Sequence, residues 1–172
     1  MQFFGIINHS GIFDMSRQPN AESEQKIRFL CPKHRQKLLD NPEYAQTILV
    51  RLLSNARHKL DQGSWDNAAL VYGSAFETAE ILFEQSDCFY EVNRYLQSAI
   101  EFAYALRHCS YEADLGMLVA LIEEKLNEKL YPAQIKLLLK PLRDMAFSPL
   151  SEIYFPIHRA NLQTKTLTHT IH

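Results

Sequence analysis

The sequence predicts an all-α fold: an antiparallel array or up-and-down bundle of about five helices, with short β-prone or disordered segments at the N- and C-termini. Three observations predict it. Apolar residues recur at spacings of three and four through most of residues 31–148. Cap-then-proline pairs stand at Cys31–Pro32 and Asn41–Pro42, where a proline at the first helical position loses no hydrogen bond. Turn signals at 62–63, 86–87, 109–110 and 131–132 lie roughly 22 to 24 residues apart, one helix of about 30 Å plus a tight connection. Short connections make consecutive helices antiparallel neighbours.

A chain of 172 residues is one domain by its length and buries about 70% of its extended surface. It divides into an N-terminal segment and linker (1–30), a helical domain (31–148) and a C-terminal tail (149–172). Phe3, Phe4, Ile6 and Ile7 favour a short strand, and residues 14 to 26 read as a polar connector. Cys31 and Pro32 open a short helix through Asp40. Asn41 and Pro42 open a second to about Gln62, whose stripe of Tyr44, Ala45, Ile48, Leu49, Leu52, Leu53, Ala56 and Leu60 makes it amphipathic.

Gly63 fits the residue beyond a helix end, where positive φ needs no Cβ, and Ser64 fits the cap of the next helix. That helix, to Gln85, is the predicted centre. Trp65, Ala68, Ala69, Tyr72, Ala75, Phe76, Ala79 and Leu82 collect on one face, and small residues beside large aromatics imply close helix packing. The next helix, Cys88 to about His108, is apolar over more than half its circumference. Ser110 with Glu112 is expected to start a fourth long helix to about Leu130, and Pro132 a fifth, which Pro141 should kink or divide. In the tail, Thr164, Thr166, Thr168 and Thr170 alternate with strand-like period two. Pairing with the N-terminal strand, within one chain or across a homodimer, is the expectation for these ends.

Trp65, Ala68, Ala69 and Tyr72 stand where the opening helix of a tetratricopeptide repeat has Trp, Leu, Gly and Tyr, so this stretch resembles that family. Trp65 and Tyr72 match in identity. The family breaks its helix near Ala75–Glu77, where this sequence has no breaker, and the pattern does not return at Ala99 and Leu106. The resemblance covers one helix and implies a helical-hairpin binding module.

Composition narrows the function. A net charge of −2 with dispersed basic residues argues against nucleic acid or an anionic membrane as main partner. Three cysteines without a CxxC fit free thiols in a reducing, cytoplasmic setting. No apolar run is long enough to span a bilayer, and no Gly-rich phosphate loop, GxSxG or HExxH occurs. No cofactor is expected. Glu77 and Glu80 lack the Glu-x-x-His partners of a di-metal carboxylate site.

Two functions of different class follow. The first is a non-catalytic protein–protein interaction or adaptor module that receives another protein or peptide through Trp65, Tyr72, Glu77, Glu80 and Arg94. Arg94 is expected to pair with Glu77, Glu80 or Glu84. The second is a thiol- or metal-responsive regulator using Cys31 and His34, with the basic segment Lys26 to Lys37 touching nucleic acid. Cys31 at a helix N-terminus is placed as a reactive thiol, and the CxxH pair supplies two of four zinc ligands, with His108 and Cys109 the remaining candidates.

Overall fold

A computed structural model describes residues 28–86, 88–110 and 112–152. The expected N-terminal strand, most of the linker and the threonine tail lie outside the described residues. Within them the fold is all-α, seven α-helices followed by a short 3₁₀ turn, with no strand. The helices are α1 (Pro32–Asp40), α2 (Pro42–Asp61), α3 (Trp65–Gln85), α4 (Phe89–His108), α5 (Leu115–Asn127), α6 (Pro132–Leu138) and α7 (Lys140–Phe147). The count exceeds five for two reasons. The short opening helix stands apart from α2, and Pro141 divides the last predicted helix. It sits in the first turn of α7, where its missing N–H has no carbonyl to serve.

Local chemistry sets most boundaries as expected. Asn41 Oδ1 accepts the Tyr44 N–H at 2.9 Å and caps α2. Gly63 has φ +70° and turns the chain into α3. One boundary is corrected: α5 starts at Leu115, not near Ser110, because Asp114 is the residue whose carboxylate accepts the Met117 N–H at 2.9 Å. Ser64 stands at the N-cap of α3 without a capping bond, its hydroxyl accepting instead from Asn67 Nδ2.

Contacts between helix ends give the topology. Gln85 Nε2 at the end of α3 donates to the Leu39 carbonyl at the end of α1, while Trp65 at the start of α3 meets His108 at the end of α4. Lys125 of α5 reaches Glu84, and Arg107 donates to the Met145 and Ser148 carbonyls at the end of α7. From α2 onward the chain therefore runs alternately up and down, α6 and α7 sharing the last ascent. Helix α3 packs against α1, α2 and α4, and α7 packs against α4, α5 and α6.

The core runs along the α3–α4 seam. Ala68, Ala69, Ala75 and Ala79 are buried and let the axes approach, while Phe76, Phe83, Tyr95 and Phe102 stack with centroids 5.0 to 5.9 Å apart. At the lower end Lys129 Nζ donates to the carbonyls of Phe83 and Ser86, satisfying acceptors left open where α3 stops. No helix among the described residues is long and apolar enough to cross a membrane.

Candidate functional site

At the upper end of the array the Gly63 turn delivers Trp65 onto the last turn of α4. Its indole stacks on the His108 imidazole, centroids 4.4 Å apart and planes 24° from parallel. Tyr104, one helical turn earlier, meets Trp65 edge-on at 5.9 Å and His108 edge-on at 4.8 Å. The neighbouring Asp66 fixes the chain beyond α4: Oδ1 accepts the Ser110 N–H and Oδ2 accepts the Ser110 hydroxyl, both at 2.7 Å. Trp65, Asp66, His108 and Ser110, with Ser64, Asn67 and Cys109, border an open hollow of 390 Å³.

The electrostatics of this hollow follow from its contacts. The Ser110 backbone N–H, and then its hydroxyl, hold the Asp66 carboxyl below the usual carboxylate range. Burial, with Arg107 adjacent, pushes the His108 imidazole below its ordinary pKa, so the ring facing Trp65 is neutral near pH 7. The result is an aromatic floor with a polar rim.

The other residues read from sequence as partner-binding are elsewhere. Tyr72 is wholly buried, its hydroxyl without a hydrogen-bond partner, so it belongs to the core. Burial, then the charge of Glu101, push its phenol well above the ordinary range. Glu77 is also buried: Oε2 accepts the N–H groups of Phe29 (2.8 Å) and Leu30 (2.9 Å), and Oε1 accepts from Arg35 Nη1 at 2.9 Å. Glu80 is 1% exposed. The pairing expected for Arg94 is corrected: it donates to Glu91 one turn earlier on α4 at 3.2 Å, and its guanidinium lies over the Tyr90 ring. Glu84 takes Lys125 instead, at 2.7 Å. Of the five, Trp65 is the one that borders this hollow.

Cys31 and His34 do meet, Sγ to Nδ1 at 3.1 Å, exposed at the start of α1. His34 also borders an open hollow of 760 Å³ between α1 and α2, with Lys33, Lys37 and Tyr44. The proposed completion of a metal site is corrected. His108 is stacked on Trp65, and Cys109 Sγ donates to the Leu106 carbonyl, both at the upper end of the array. Among the described residues no three of His, Cys, Asp and Glu are grouped to hold a metal ion.

Sequence reasoning missed His108 and Tyr104 as companions of Trp65. Their spacing of four on one helix was the available signal. It also missed the pair in which Arg57 Nε and Nη2 donate to Glu101 Oε2 and Oε1, since nothing along the chain marks Glu101 as buried. Compared with protein-family models, curated proteins and solved structures, the chain matches none.

Proposed function

We propose that this chain is a non-catalytic protein-interaction module that receives a partner's side chain in the hollow beside Trp65. The observation that carries the reading is the stacked Trp65–His108 pair lining an open cleft. Tryptophan is enriched among residues that dominate binding energy, because a large rigid ring contributes area at small conformational cost. The neutral His108 ring adds apolar floor, and Ser64, Asn67 and Ser110 supply polar groups around it. The likeness of Trp65 and Tyr72 to a tetratricopeptide opening helix agrees in class with such a module. Its matching Tyr72 acts through packing.

The test uses the tagged full chain, wild type and Trp65→Ala, incubated with extract of the cells that make it. A protein retained by wild type and lost from a Trp65→Ala chain with native circular dichroism is the expected result. Trp65 is the only tryptophan, so the purified partner should also shift or quench its emission. A folded Trp65→Ala chain that keeps every wild-type partner removes the hollow from the reading.

A second reading is favoured by the Cys31–His34 contact. An exposed thiol in contact with an imidazole at a helix start suits a thiol-responsive regulator. Cys88, exposed at the start of α4, is the internal reference. Alkylation of Cys31 by iodoacetamide no faster than that of Cys88 would remove this reading.

A further inference from the structure

The seam between α3 and α4 holds a second feature, unrelated to Trp65. Just before α1 the chain crosses these helices as a non-helical strap, residues Arg28 to Leu30. The Phe29 ring lies over Gly73, where a Cβ would overlap it, and meets Phe102 of α4 edge-on at 5.4 Å. Glycine at position 73 therefore makes a seat that any other residue would fill. Beside the seat stands the buried Glu77 carboxylate. One of its oxygens accepts two consecutive backbone N–H groups, those of Phe29 and Leu30.

A carboxylate that binds consecutive N–H groups recognises backbone, not side-chain identity. Only the aromatic seat adds selectivity. The strap is also separable from the helix it precedes. Helix α1 has anchors of its own, the buried Leu38 and the Gln85 bond to the Leu39 carbonyl. Arg35 on α1 also pairs with Glu77, so the buried carboxylate has a charged partner that does not come from the strap.

We propose that this seat is a peptide-binding site whose resident ligand is the chain's own Arg28–Leu30 segment. Its external ligand is an extended peptide of another protein, with an aromatic residue for the Gly73 seat and non-proline residues at that position and the next. The resident strap competes with this peptide and sets the threshold for binding. The proposal does not depend on the hollow at Trp65, and Trp65→Ala leaves its outcome unchanged.

The probe is a fluorescein-labelled peptide spanning residues 26–33 and carrying Cys31→Ser, titrated by anisotropy against the full chain. The Phe29→Ala chain, its seat vacated, should bind at least tenfold more tightly than wild type. Phe29→Ala or Leu30→Pro within the peptide should each weaken binding at least tenfold, the second because it removes one of the two N–H donors. A folded Phe29→Ala chain that binds no better than wild type overturns the proposal, as does equal binding of the Leu30→Pro peptide. Amide exchange of the wild type tests it independently of that variant's folding. The Phe29 and Leu30 amides should exchange at least tenfold faster than those of Ala75 to Ala79 in α3. Exchange of both groups at one common rate would mean that the strap leaves only on global unfolding, which also overturns the proposal.

Discussion

Arg57 on α2 and Glu101 on α4 form a two-pronged ion pair, Nη2 to Oε1 at 2.6 Å and Nε to Oε2 at 2.9 Å. Glu101 is wholly buried, whereas the Arg57 side chain is 39% exposed, so water reaches the cation and not the anion. Gln97 Nε2 adds a third donor at 2.8 Å. The pair holds α2 and α4 together beside α3, and Arg57 gives the buried carboxylate two charge-assisted donors.

Removing one partner of this pair should therefore cost more than removing both. Arg57→Met leaves an uncompensated buried carboxylate and is expected to destabilise the chain by about 3 kcal/mol, less than a fully enclosed pair would lose because Arg57 is partly solvated. The double variant Arg57→Met/Glu101→Leu should recover at least half of that loss. Urea denaturation of wild type, Arg57→Met, Glu101→Leu and the double variant measures both, and additive losses would show that the pair does not act as a unit.

Gly73→Ala sets two effects against each other. Alanine favours the helix by about 1 kcal/mol, but its Cβ overlaps the Phe29 ring, and overpacking of this kind costs about 1–3 kcal/mol. Net destabilisation is expected in wild type. In a Phe29→Ala background the clash is gone and the same substitution should stabilise. A double-mutant cycle by chemical denaturation reads the change of sign.

Trp65 fluorescence should report the protonation of His108. The folded ring has a pKa below its ordinary value near 6.5, so the unfolded chain takes up a proton first as pH falls. Stability is thus unaffected by this group above that value and declines as pH drops through it towards the folded pKa. Trp65 emission should change with a midpoint below 6.5 and lose that transition in His108→Gln. A midpoint at or above the ordinary histidine value would contradict the stacked, partly desolvated ring.

Tyr95 offers a test at the opposite end of the pH scale. Its buried hydroxyl has no hydrogen-bond partner, and burial, then the charge of Glu80, raise its pKa well above 10. The unfolded chain releases this proton near pH 10 while the folded chain keeps it, so stability falls as pH rises past 10. Tyr95→Phe should be neutral or stabilise by up to about 1 kcal/mol at pH 7, and should reduce the alkaline loss. Thermal melts at pH 7 and pH 10.5 give both numbers.

The helical body was readable in the sequence because its signals are local. Proline at the first turn of α2, glycine after its end and the three-and-four apolar spacing each act within a few residues, and they fixed α2, α3 and α4 to within a residue or two. The start of α5 was misplaced because Ser110 has the side chain of a cap, yet its backbone and hydroxyl are both taken by Asp66, 44 residues earlier. Of the candidate site, Trp65 was legible from its position after the Gly63 turn.

By itself, then, the sequence determined where helices form and which stripe of each is apolar, since backbone preference and hydrophobic periodicity are properties of neighbouring residues. Tertiary structure alone decided the fate of the polar stripes. Glu77, Glu80 and Glu101 look like solvated helix faces in one dimension, but all three are buried, Glu77 and Glu101 against donors 42 and 44 residues away in the chain. The reason is desolvation: a carboxylate is tolerated inside only where donors converge on it, and that convergence exists only once the helices have packed.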